Sequence, residues 1–227
     1  MDLLTISSEI QTTFPKIRIG VALIQEVSIT KRSVDLSRDK IIYLKQFSER
    51  FTLRSFLNNH LTIAYRNFYR NIGLDPEITP PGPQNFINRY FNKNNFPTIN
   101  TLVDACNLAV FSALIPLGIF DAKKIIGTLN LRFSTSKDKI IPIGLSSPQP
   151  VPENVPIFVD DNRVISAPIY HRDSNFSKIQ LTTKNLLLMA VAVDGVSMKE
   201  LKFGLECGIS FIKKYNGGYC NDLTYSP

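Results

Sequence analysis

Residues 186–200 read Leu186-Leu-Leu-Met-Ala-Val-Ala-Val193-Asp-Gly-Val-Ser197-Met-Lys-Glu200. The uninterrupted apolar run of 186–193 predicts a central strand, far short of the roughly 18–20 residues a membrane span needs. Ser197 followed three residues later by Glu200 has the spacing of a capping box, so a helix should start there. It runs to about Tyr215, where Asn216-Gly217-Gly218 closes it. Helices and strands interleave along the rest of the chain without a regular strand–helix–strand rhythm, which predicts an α+β fold.

Working outward, Ile17–Ile24 reads as a second buried strand, continuing toward Ile29 and preceded by Pro15. From Asp39 to Ile72 the texture is helical, with Leu57, Leu61, Ala64 and Phe68 on one face and Gly73 and Pro76 as stop signals. Residues 75–83 hold four prolines and predict a stiff connector. A short helix should cover 84–93. A second should run from Thr98 to Leu114, ended by Pro116 and Gly118. Strands are expected at Ile126–Phe133 and Lys139–Ile143, a proline-rich loop at 146–156, and a hairpin at 157–165 turning on Asp160-Asp161-Asn162.

The 227 residues are 44% hydrophobic and 20% charged, ordinary globular composition, and the whole of 1–227 is expected to form a single domain. The net charge is +7, and residues 1–100 carry 13 Lys and Arg against 8 Asp and Glu, a balance that suits a polyanionic partner or serves solubility alone. Met1-Asp2-Leu3-Leu4 does not open a secretory signal, and no segment is expected to enter a membrane. Three cysteines without CxxC spacing fit a reducing cytoplasm. With only two histidines, His60 and His171, no metal site is expected, and no motif calls for a cofactor.

Between Lys45 and Arg70, basic and aromatic residues alternate. Arg50 with Arg54 and Arg66 with Arg70 are spaced i,i+4 and are candidate RNA contacts. The alternative is a core of Phe51, Phe56 and Phe68 rimmed by solvated arginines. His171-Arg172-Asp173 begins like a protein-kinase catalytic loop, but the Asn required five residues after the Asp is Lys178. His171 and Asp173 still form a candidate general-base pair, weighed against a surface histidine beside a turn-forming Asp. Gly-x-Ser-x-Gly, Walker and His-Glu-x-x-His patterns are absent from the sequence.

A longer series is more specific. It comprises Asn71-Ile-Gly-Leu-Asp-Pro76, Phe86-Ile-Asn-Arg89-Tyr, Phe96-Pro-Thr-Ile-Asn100, Leu102-Val-Asp104-Ala-Cys-Asn107, Pro116-Leu-Gly-Ile-Phe-Asp121, Ile126-Gly127, Leu131-Arg132 and Thr183 before Leu186. In this order it resembles the editing (tRNA-binding) domain of the phenylalanyl-tRNA synthetase beta subunit, and more closely the stand-alone proteins built from that domain, over about residues 65–215. The resemblance implies a layered β-β-α sandwich with helices packed on the sheets. It implies tRNA or aminoacyl-tRNA as partner, and hydrolysis in trans of mischarged tRNA without aminoacylation. A different class of function, non-catalytic binding of a free amino acid or similar small molecule, is the alternative. Asn107, Pro116, Gly118 and Met189 map onto the family pocket. Gly118 stands where the bacterial module has His and Met189 where it has Glu, so the hydrogen bonds that select a phenol hydroxyl there are not expected here. The loop Tyr170-His-Arg-Asp-Ser174 lacks the family's glycines.

Overall fold

The protein is described by a computed structural model, which covers residues 4–93, 96–169 and 171–226. Met1-Asp2-Leu3 and Tyr170, both used above, lie outside the described residues. In chain order the elements are β1 (Leu4–Ile6), α1 (Ser8–Thr13), β2 (Arg18–Gln25), α2 (Val34–Arg50), α3 (Leu53–Leu57), α4 (His60–Asn71), α5 (Gly82–Lys93), α6 (Thr101–Ala113) and β3 (Leu117–Asp121). They continue with β4 (Leu129–Phe133), β5 (Lys139–Ile140), β6 (Gln149–Pro150), β7 (Pro156–Val159), β8 (Val164–Ser166), β9 (Leu186–Ala192), α7 (Met198–Asn216) and β10 (Tyr219–Tyr225).

The run at 186–193 is a central strand. β9 lies between β2 and β3 in an antiparallel sheet of order β10-β2-β9-β3, and all its residues are buried. Successive side chains along a strand take opposite faces. Leu188 meets α7, which comes close because Gly208 has no side chain there. Leu187, Met189 and Val191 take the other face. They join one buried cluster with Leu129, Leu131 and Phe158 of the second sheet, β1-β4-β7-β8. Burying each Leu or Val contributes about 1.5–3 kcal/mol. The layers are thus sheet, sheet and helices, the β-β-α order that the resemblance implies.

α7 begins as its sequence predicts. Ser197 Oγ accepts from the Glu200 N–H at 3.2 Å, and Glu200 Oε2 accepts from the Ser197 N–H at 2.7 Å. Its buried residues Leu201, Gly204, Leu205, Gly208, Phe211 and Ile212 follow the helical period. The helix ends at Gly217, whose φ of +65° suits glycine. Beside α7 packs α6, and α2 packs on α6. Phe111 of α6 meets Phe47 of α2 with ring centres 4.7 Å apart.

Several boundaries differ from expectation. The helical texture of 39–72 is three helices. Phe51 is extended, and Thr52 opens α3 through a capping box with Ser55. Arg50 and Arg54 therefore lie on different helices, and their i,i+4 spacing does not place them on one face. Past Pro116, where Pro116 and Gly118 were expected only to end a helix, Leu117–Asp121 form the edge strand β3. β4 starts only at Leu129, because Gly127 takes a φ of +71° and the Ile126 N–H is held by Asp160 Oδ2 at 3.1 Å. The strand expected over 139–143 stops at Ile140, two residues before Pro142.

Candidate functional site

Gly118 and Met189 are brought together. They are register partners across β3 and β9, with Val21 of β2 next in the same row, so all three share the face turned toward the second sheet. Pro116 precedes β3 and lines a cavity of only about 10 Å³ beside Tyr65, Tyr69, Ile169 and Val191. A space of this size holds one water at most. Both phenols are committed: Tyr65 Oη donates to the Val191 carbonyl at 2.8 Å and Tyr69 Oη to the Ile169 carbonyl at 2.7 Å. Burial pushes both hydroxyls well above their ordinary pKa.

Asn107 is not brought to this row. It is half-buried on the stripe of α6 that carries Asp104 and Phe111, three residues before it and four after. That stripe meets Lys40 and Phe47 of α2. Other members of the motif series are structural. Asp104 Oδ1 accepts from the Ile99 N–H at 2.8 Å, and Thr183 Oγ1 donates to Asp121 Oδ2 at 2.7 Å, tying the end of β3 to the approach to β9.

His171 and Asp173 do not form a pair. His171 lines a surface cleft of about 400 Å³ with Thr79, Gln149, Pro150 and Arg172. Burial and the Arg172 charge hold its pKa below the usual value, with the nearby Pro80 carbonyl opposing the shift. Asp173 points into the protein from the bridge it makes with Ser166. The residue is half-buried with Oδ1 shut off from solvent, and desolvation pushes its carboxyl up to about 6, with a nearby Ser166 hydroxyl opposing the shift. That hydroxyl lies outside ordinary hydrogen-bond geometry, for neither Ser166 Oγ nor Asp173 Oδ1 has a hydrogen-bond partner.

The arginines also differ in kind. Arg50 and Arg54 are exposed, and Arg50 lies 4.8 Å from the centre of the Phe51 ring. Arg66 and Arg70 share one face of α4, but Arg66 is paired with Glu77 and is largely buried. Arg70 is exposed and donates to Asn67 Oδ1 at 2.9 Å.

The largest cleft among those described was not foreseen. About 870 Å³ opens between α4, the α1–β2 loop and the β9–α7 loop. Its walls are apolar at Phe14, Ile17, Phe68 and Val193; its polar groups are Lys16, His60, Asn67, Asn71 and Asp194. Phe14 and Phe68 meet edge to face at 5.3 Å. Lys16 and Asp194 form an exposed ion pair across the rim at 2.9 Å. His60 Nε2 lies 2.6 Å from Glu200 Oε1. Phe68 and Val193 line both this cleft and the small cavity at Pro116, so two side chains separate the two spaces. The sequence signal was the polar stripe His60, Asn67 and Asn71, spaced i, i+7 and i+11 on α4. Among the described residues no three His, Cys, Asp or Glu side chains gather as a metal site, and no helix is long and apolar enough to cross a membrane.

Comparison with solved structures finds the fold in an N-terminal fragment of the phenylalanyl-tRNA synthetase beta subunit from Pyrococcus horikoshii, with a TM-score of 0.51 and 11% identity. The likeness covers 99% of this chain and 54% of that fragment, so the chain spans about half the fragment's length. No curated protein sequence matches. The B3/4 domain profile matches residues 64–211, about two thirds of the sequence. On that match the chain belongs to the B3/4 domain family, the family of domains found in the phenylalanyl-tRNA synthetase beta subunit.

Proposed function

We propose that this chain binds the aminoacylated 3′ end of tRNA and clears wrongly esterified amino acids in trans, in the cytoplasm, without charging tRNA itself. The observation that carries this is the cleft of about 870 Å³ and its wall of Phe68 and Val193 shared with the cavity at Pro116. Its volume falls in the range of small-molecule sites, about 300–1,000 Å³. An aminoacyl-adenosine end is a flat base, a polar sugar and a side chain. Single-stranded bases are recognised by stacking on aromatic rings and by hydrogen bonds to their edges. Phe14 offers a half-buried ring, with the buried Phe68 packed against it, and the Asn67 and Asn71 carboxamides supply donors and acceptors. Lys16 offers a cation for the adjoining phosphate, and the net charge of +7 favours a polyanion. Membership of the B3/4 family agrees with such a ligand.

The test is titration with the phenylalanyl amide of 3′-amino-3′-deoxyadenosine, an aminoacyl-adenosine mimic that cannot be hydrolysed. The mimic should raise the unfolding temperature in a dose-dependent manner, and adenosine or free phenylalanine alone should act far more weakly. Stabilisation by phenylalanine equal to that by the mimic would place the protein among free amino-acid binders. No stabilisation by the mimic at millimolar concentration would remove the proposal.

A further inference from the structure

We propose that His60, oriented by Glu200, is the base that activates water for ester hydrolysis in the large cleft. This deepens the function just proposed and rests on it. Four bonds define the arrangement. His60 Nε2 lies 2.6 Å from Glu200 Oε1. Glu200 Oε2 accepts from the Ser197 N–H and the Ser197 hydroxyl, each at 2.7 Å, and Ser197 Oγ accepts in turn from the Glu200 N–H at 3.2 Å. The carboxylate is therefore fixed by the cap of a 19-residue helix. Burial pushes the Glu200 pKa up, but the Ser197 and His60 hydrogen bonds outweigh it and keep the group ionised. An ionised carboxylate only accepts, so the proton of a neutral His60 sits on Nε2 and Nδ1 is left as the acceptor. A base held by a third group that sets its tautomer is the arrangement nucleophilic and hydrolytic sites require.

The position adds to the geometry. His60 opens α4 and Glu200 lies in the first turn of α7, so the N-termini of two helices approach the same rim. Their positive ends favour Glu200 as an anion. His60 is also a lining residue of the cleft, whose remaining polar groups are carboxamides and the Lys16–Asp194 pair. The carboxamides are not bases and the Asp194 carboxylate is engaged by Lys16, which leaves His60 as the lining residue whose acceptor nitrogen is available for base catalysis. By contrast His171, the base expected from sequence, lines a different cleft and has no carboxylate beside it.

The step balances without a co-reactant. Nδ1 takes a proton from water as the water oxygen bonds to the ester carbonyl carbon. The carbon–oxygen bond to the ribose then breaks, and the imidazolium returns its proton to the leaving ribose oxygen. One ester and one water yield one amino acid and one free 3′-terminal hydroxyl. Glu200 acts through His60 and is a positioning residue.

The experiment is single-turnover deacylation of a panel of aminoacyl-tRNAs by the whole chain, with His60→Ala, His60→Gln and Glu200→Gln, alongside binding of the amide mimic. His60→Ala and His60→Gln should deacylate about 10²–10⁴-fold more slowly, while binding the mimic as the parent does. Imidazole added to the buffer should restore part of the His60→Ala rate and leave the parent rate unchanged. Glu200→Gln retains a side chain competent for the capping box; it should lower kcat and leave KM in place. Parent-like deacylation by His60→Ala, with the mimic still bound, overturns this inference alone. A slow His60→Ala that imidazole does not rescue also overturns it, since His60 would then merely link α4 to α7. Failure of the parent to bind the mimic removes both the inference and the function beneath it.

Discussion

Asp173 is the residue whose environment opposes its ordinary charge. It is half-buried with Oδ1 shut off from solvent and without a hydrogen bond, and no cation is among the groups that shift its pKa. Its negative charge also raises the pKa of Tyr69. Burial lifts the carboxyl from 3.8 to about 6. Between those values the folded chain holds a proton that the unfolded chain has released, so this group adds stability as pH falls from about 7 to about 4. Asp173→Asn should therefore be more stable than the parent at pH 7.5, by about 2–3 kcal/mol, and the gap should close by pH 4. Urea unfolding of both proteins across that range reads the difference directly. Asp138 and Asp39 run the other way. Hydrogen bonds from Arg132 and from Lys214 hold them down at about 2, so their contributions are lost only as pH falls from about 4 toward 2. Both are common to the two proteins and cancel. A gap that does not change with pH would mean that Asp173 is solvated in the native state.

At the scale of elements, the strand–helix unit of β9 and α7 was legible because two local signals agreed, an uninterrupted apolar run and a capping box. Its close packing was not legible. A methyl placed on Gly204 would lie 2.5 Å from Ile115 Cβ, and one on Gly208 would lie 2.9 Å from Leu117 and Leu188. Ile115 Cβ is branched and tied to its backbone, so it yields little. Gly204→Ala should thus destabilise by about 1–3 kcal/mol, although alanine favours a helix by about 1 kcal/mol over glycine. A lower urea midpoint with unchanged slope is the expected readout, and a higher midpoint would show that α7 can move outward at no net cost. Other elements hid from the sequence for physical reasons. β10 is mostly exposed, shows no apolar alternation between Tyr219 and Tyr225, and becomes a strand only by pairing with β2. β1 has three residues and exists through its parallel pairing with β4. α3 separates from α2 by a capping box whose partner is Ser55 rather than Glu or Gln, a weaker pattern on the page.

For the whole molecule, legibility followed distance along the chain. The resemblance supplied the layer order and the Pro116–Gly118–Met189 row, in which Gly118 and Met189 do pair. The large cleft draws on residues 13–17, 60–71 and 193–195, segments whose meeting only the fold reveals. The same holds for charge. The sequence counts Arg50, Arg54, Arg66 and Arg70 alike; the fold leaves three exposed and pairs Arg66, with 12% of its side chain exposed, to Glu77. Counterion release depends on cations that reach phosphate, so the four should separate in a salt titration. If tRNA is the partner, log affinity should fall linearly with log salt. Arg54→Glu or Arg70→Glu should weaken binding and reduce the slope by about 1. Arg66→Ala should leave the slope in place and lower the unfolding temperature, because it uncovers the surface that the packed stem of the side chain covers. Filter binding of unacylated tRNA between about 50 and 200 mM salt spans a range over which several phosphate contacts are resolved. A slope near zero in the parent would remove the polyanion from the account and leave the cleft to a small ligand. An equal loss of slope from all three substitutions would mean that Glu77 gives up Arg66 when RNA arrives, which the parent's own slope, higher by one phosphate, would independently report.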